Sequence, residues 1–217
     1  MPRQIFMPAV GHWSRCGLAA WLVKQLRSEE RLLVGIDHAF SFPNIYMQRY
    51  GLGSWDDFLR DFHEHWPTDQ KSVETCRPDN KRIGSPREYR LTDQWTSSAK
   101  SVFLFDVNGS VAKSTHAGLP WLLHIRKSCG DSVHFWPFDG FDIPEGRSVV
   151  AEVYPSLFRN RYLRDDRSST DEQDAYATAR WMKEMAAAGF LTRYFDPPLT
   201  KDQRVLACLE GWILGVN

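Results

Sequence analysis

A surplus of either charge is what this chain most plainly lacks. Its 217 residues carry 27 Lys and Arg against 27 Asp and Glu. No global field therefore draws it to a polyanion, and contact with one needs a local patch. Cysteine is scarce: Cys16, Cys76, Cys129 and Cys208 lie far apart and form no C-x-x-C pair. That argues against a zinc site or a disulfide framework and for a reducing compartment. No run approaches the roughly 18 apolar residues of a membrane span, and the opening Met-Pro-Arg-Gln-Ile-Phe has no apolar signal-peptide core. A cytoplasmic globular protein without membrane contact is expected, long enough for one well-buried domain. Phosphate-loop glycines are missing too. Counting back from Lys113, the two template positions hold Ala112 and Val107, so a Walker-type nucleotide site is not expected.

What is present centres on Leu32-Leu33-Val34-Gly35-Ile36-Asp37. This run has neither helical nor alternating period, so it reads as a strand buried on both faces. It delivers an Asp at its carboxyl end, where ligand sites form in open α/β sheets. The plainer role for Asp37 is to cap the following turn. Ahead of it, Leu18, Trp21, Leu22 and Leu26 form one stripe of a helix starting near Ser14. A scrap of strand at 5–7 is the only other candidate before it. Trp55 to Trp66 reads as a short amphipathic helix whose His63 and His65 point apart.

Residues 77–90 form a loop with Arg77, Lys81, Arg82, Arg87 and Arg90 against Asp79 and Glu88. It is either a phosphate-gripping patch or an ordinary charged loop. Gly109 then turns the chain into a helix opened by Lys113, Ser114 and Thr115 and closed near Gly130, whose start can offer N–H groups and a Lys to an anion. Strands are expected at 133–138 and 148–154, the second with Glu152 in its middle. A Glu there needs a partner, either a buried Arg or a metal shared with Asp37. Residues 169–189 carry the best-signed helix: Ser169-x-x-Glu172 and Thr170-x-x-Gln173 both fit a capping box, and Gly189 is a natural stop. Asp171 and Asp174 share a face of its first turn, where negative charge also suits the helix dipole. Ala175, Ala179, Met182 and Ala186 form its expected packing stripe. A last helix starts near Thr200, again with a capping box (Thr200-x-x-Gln203), and carries Val205, Leu206, Leu209, Trp212 and Ile213, with Glu210 on or beside the apolar side.

Asp37, Glu152, Asp171 and Asp174 are thus four carboxylates that can converge. Hard oxygen donors suit Mg²⁺ or Mn²⁺, and several around two ions is the arrangement that drives in-line phosphoryl transfer.

The segments GIDHAFSFP (35–43), KSTHAGLPWL (113–122), HFWPFDG (134–140), AEVYPS (151–156), DEQDAYATARW (171–181) and EGWILGV (210–216) resemble, in order and over most of the chain, a family of unknown function. Its members are generally described as predicted nucleases with a ribonuclease H-like fold. Asp171-x-x-Asp174-Ala175 is also similar to the last-helix motif of Holliday-junction resolvases of that fold. The resemblance implies a mixed sheet flanked by helices in a single domain spanning 1–217. It implies metal binding and catalysis at Asp37, Glu152, Asp171 and Asp174, and nucleic acid as partner. Lys113, Arg77, Lys81 and Arg82 are the expected phosphate contacts. One departure is plain: the fold's first strand supplies another Asp, and none precedes Asp37. The opening strands are therefore expected to be missing or reduced to 3–7, leaving strand 32–37 an open edge. Mg²⁺-dependent phosphodiester cleavage is the leading expectation. The alternatives are a non-catalytic nucleic-acid or protein-binding module of the same fold, and a small-molecule phosphotransferase or phosphohydrolase.

Overall fold

The structure is a computed structural model that describes residues 13–96, 98–163 and 169–217. Its elements run α1 (Arg15–Leu26), β1 (Leu33–Ile36), α2 (Asn44–Tyr50), α3 (Trp55–His65), α4 (Val73–Cys76), α5 (Leu91–Trp95) and α6 (Ala112–Cys129). After these come β2 (Val133–Trp136), β3 (Ser148–Glu152), α7 (Thr170–Ala187), α8 (Leu191–Phe195) and α9 (Lys201–Glu210). Short 3₁₀ turns sit at Gly130–Ser132, Pro155–Leu157 and Arg159–Arg161.

The class is α/β. Three parallel strands lie in the order β1-β3-β2, with Ile36 opposite Glu152 and Trp136 opposite Ala151. All strands are parallel among the described residues, so the antiparallel part of the expected mixed sheet is not among them, and residues 5–7 lie outside. The period of two along each strand divides the core. Val34, Ile36, Val133, Phe135 and Val150 join the layer of α1, α2, α3 and α6. Leu33, Trp136, Val149, Ala151 and Val153 join the opposite layer, with Trp181 of α7, Phe195 of α8 and the tail residues Trp212 and Leu214. Helices thus cover both faces, as a parallel sheet requires.

Several boundaries follow from local chemistry. Ser14 accepts the Gly17 N–H and opens α1. Ser169 and Glu172 exchange hydrogen bonds across the first turn of α7, and Thr200 and Gln203 do the same for α9. At Gly35 an added Cβ would stand 2.7 Å from Val153 Cγ1, and Met182 of α7 lies next to it. Glycine therefore lets the helix that carries Asp174 come close to the sheet.

Three packing expectations are corrected. β1 is half-buried along its whole length, because it is the edge of the described sheet and pairs only with β3. Leu18 of α1 is exposed, and Ala19, Leu22 and Leu26 form the buried stripe. In α7 the inward face is Gln173, Asp174, Ala177, Thr178 and Trp181, since Trp181 anchors the helix by stacking on Phe158 with ring centroids 4.0 Å apart. Of the expected stripe, Ala175 and Ala186 are exposed, while Met182 packs against the core.

Candidate functional site at the carboxyl end of the sheet

Parallel strands end together, and here Asp37 follows directly on β1 while the neighbouring β3 ends in Glu152. α7 brings Asp174 to the same end. Asp37, His38, Arg90, Asp93, Lys100, Gly109, Val111, Glu152 and Tyr154 line a cleft there. Crevices outside strand carboxyl ends are the usual binding places of open α/β sheets.

Glu152 is only 4 % exposed, and its partner is Arg90, itself 1 % exposed. Arg90 Nη1 and Nη2 donate to the two Glu152 oxygens at 2.7 Å each. Its Nη2 and Nε hold Asp93 at 2.9 and 3.2 Å. Glu152 also accepts the Phe40 N–H at 3.1 Å, which pins the turn that follows Asp37. Burial alone would drive the guanidinium toward neutrality. The adjacent Asp93 and Glu152 carboxylates outweigh it and raise the Arg90 pKa. Burial pushes the Glu152 carboxyl up, and the Arg90 charge and fork draw it back without cancelling the rise.

Glu210, the last residue of α9, completes this buried ionic group. Its carboxylate accepts the N–H of Asn44 and, at 2.7 Å, that of Leu91. These are the first residues of α2 and α5. One distant side chain therefore caps two helices whose own preceding residues, Pro43 and Arg90, make no side-chain cap. Burial raises the Glu210 carboxyl, against the pull of those two N–H groups.

Asp37 stands apart from this order. Its carboxylate reaches solvent and has no hydrogen-bond or ion-pair partner among the described residues. Desolvation first, then the negative charges of Asp174 and Glu152, push it up to about 6; Arg159 pulls the other way and Asp171 adds to the rise. Because the residue keeps contact with water, the like-charge contribution is the part that substitution can test. Asp174 is buried, and Arg159 reaches it with Nε at 2.7 Å and with Nη2. Asp171, one turn earlier, faces solvent.

His38 follows Asp37. Its Nδ1 lies 2.9 Å from the Ala39 carbonyl, and burial lowers its pKa to about 4, so the ring is neutral at pH 7. A Cβ on Gly118 would fall 2.3 Å from His38 Nε2, so only glycine in α6 leaves the ring its place.

The four carboxylates predicted as metal ligands do come to one end of the sheet, but two are already committed. Both oxygens of Glu152 face Arg90 and both of Asp174 face Arg159. Among the described residues no three His, Cys, Asp or Glu side chains stand where they could together hold a metal ion. As arranged, the set does not fit a two-ion centre.

The predicted phosphate contacts are elsewhere. Lys113 pairs with Glu74 at 2.9 Å. Arg77 forks onto Asp106 and lies over the Phe105 ring. Arg82 holds Asp61 and lies over Tyr50. Lys81 is exposed and lines a separate hollow with Glu64, His65, Lys71 and Asp79. Arg77 and Arg82 thus meet local acids as in an ordinary charged loop, and Lys81 and Arg87 are exposed without an ion pair among the described residues. Arg90, the last cation of the 77–90 loop, turns inward and becomes the centre of the core.

Sequence reasoning missed Arg159, Asp93 and Glu210. The demand that Glu152 find a partner was the signal for Arg90. Nothing in spacing marked Glu210 as a remote cap, because its two targets lie 166 and 119 residues away.

Among the described residues no helix is long and apolar enough to cross a membrane. No protein-family model matches the chain, and no curated protein and no solved structure does either.

Proposed function

We propose that the chain hydrolyses nucleic-acid phosphodiester bonds at the carboxyl end of its sheet, with Asp37 as the acid–base group, on a ribonuclease H-like fold. One observation carries the reading. Among the described residues Asp37 is an unpartnered carboxylate just past a strand end, close enough to Asp174 and Glu152 to feel their charge and held up to about 6. A base poised near neutrality is mostly ionised at pH 7 and still accepts a proton readily. It can take one from a water that attacks phosphorus while the bond from phosphorus to the leaving sugar oxygen breaks, that oxygen taking a proton from solvent. Helices on both faces of the sheet, acids at adjacent strand ends and a following helix that delivers Asp171 and Asp174 support the finer fold assignment.

A requirement for Mg²⁺ or Mn²⁺ is a separate element of the proposal. It asks Arg90 or Arg159 to yield a carboxylate, whereas proton transfer to Asp37 asks for no such rearrangement. The test is a cleavage panel of single strands, duplexes, hybrids and junctions, each with EDTA, Mg²⁺ or Mn²⁺, using wild type, Asp37→Asn and Glu152→Gln. Cleavage lost in Asp37→Asn supports the assignment. Cleavage retained at the wild-type rate removes it.

A second reading is favoured by the arginine pairing itself. With Glu152 and Asp174 neutralised, the chain keeps its fold and binds nucleic acid without cutting. Micromolar, steeply salt-dependent affinity without turnover in any arm of the panel would select it.

A further inference from the structure

Of the cations expected to meet phosphate, Lys113, Arg77 and Arg82 pair with acids elsewhere and Lys81 lines a separate hollow, and an acidic cleft needs a positive group before it can hold a phosphodiester. Two cations near the surface come into question: Lys100, which lines the Asp37 cleft, and Arg159, which pairs with Asp174 and whose charge is felt at Asp37. Lys100 Nζ donates to the Asn108 carbonyl at 2.7 Å, an internal tie of its own loop. Arg159 is different. Its side chain is 44 % exposed, while the Asp174 it grips is 12 % exposed.

Arg159 Nε and Nη2 are the atoms that hold Asp174, and Nη1 makes no hydrogen bond among the described residues. A guanidinium has five N–H donors in one plane, so a carboxylate on the Nε–Nη2 edge leaves the Nη1 side unused. The buried acid fixes the plane and removes much of the rotamer freedom that a surface arginine loses on binding. Arg159 also lies close enough to Asp37 to oppose the rise in that carboxyl's pKa. The turn Arg159–Arg161 that carries it packs on α7.

We infer that Arg159, anchored on Asp174, is the residue that holds the substrate phosphate next to Asp37. The inference rests on the phosphodiester reading above. It assigns Asp174 as a positioning residue for Arg159, and it moves the phosphate contact from the 77–90 loop and Lys113 to the turn after β3.

The experiment measures binding of labelled, mixed-sequence single-stranded DNA and RNA to the full chain by fluorescence anisotropy, in EDTA, over a range of salt. Wild type should bind. Arg159→Gln should bind about tenfold more weakly, with a salt slope smaller by about 0.7, the loss of one phosphate contact on a single strand. Arg159→Lys should keep the slope and lose part of the affinity, because the charge stays and the fork goes. Arg159→Gln leaves the buried Asp174 without a partner, so the double variant Arg159→Gln/Asp174→Asn is measured beside it. It should fold and bind as weakly. Lys113→Gln should bind like wild type. Wild-type affinity and slope in both Arg159→Gln variants would overturn the role of Arg159 alone. No binding by wild type would overturn it together with the phosphodiester reading.

Discussion

Two groups of acids share the carboxyl end of one small sheet and are treated oppositely. In the interior, Asp93 and Glu152 close on Arg90, and Glu210 closes on two helix starts. At the surface, Asp37 has negative neighbours and no partner among the described residues. Ile36, not Asp37, stands opposite Glu152, so the two acids sit one residue apart at the strand ends, and their partners differ with that. A carboxylate given a fork of donors becomes structure, and one left to its own sign keeps chemistry available.

The sharpest way to break the contrast is at its buried centre. Arg90→Met should destabilise the fold by about 3–5 kcal/mol, because it strands two buried carboxylates. Urea denaturation at pH 7 measures this, and a loss under about 1 kcal/mol would mean that the group is not held by its arginine. Glu210→Ala should follow at about 2 kcal/mol, two caps at about 1 kcal/mol each. Hydrogen exchange should locate the loss in the first turns of α2 and α5. Equal loosening throughout would contradict the double-cap role.

pH sharpens it next. His116 is fully buried among Phe42, Phe62, Trp66 and Phe105, and burial lowers its pKa to about 3. His38 is lowered to about 4. A histidine depressed by folding contributes stability that is present above its unfolded pKa near 6.5 and is lost as pH falls toward the folded value. Asp37 has the opposite sign. Raised from 3.8 to about 6, it contributes stability that is full below about 4 and lost as pH rises through 6. Between pH 6 and 5 the two histidines should outweigh it, and stability should fall with acid. His116→Phe should remove about 1.4 kcal/mol per pH unit from that slope. An unchanged slope would show that His116 is charged in the folded protein. The smallest effect belongs to Asp37→Asn, which should leave stability at pH 7 the same or slightly higher while activity is lost.

The sequence was most legible where a local rule has no competitor. The capping boxes at Ser169 and Thr200, the stop at Gly130 and the three strands needed only neighbouring residues. It was least legible where an outcome depends on a distant partner. Glu152 in an apolar strand demanded either an arginine or a metal, and periodicity does not choose between them. The choice fell to Arg90, 62 residues away in a loop. Likewise α7 carries an alanine stripe and a tryptophan face, and the large ring won the core because it buries more apolar area. Short helices such as α2, α5 and α8 were invisible for the related reason that tertiary contacts, not their own periodicity, hold them.

That Asp37, just past β1, has no partner among the described residues is the claim on which the functional account turns. Its most direct test is the Asp37 carboxyl titration, followed by ¹³C NMR in wild type and in Asp174→Asn. A midpoint near 6 that moves down when the Asp174 charge is removed is the predicted result. A midpoint near the ordinary 3.8 in both proteins would contradict it.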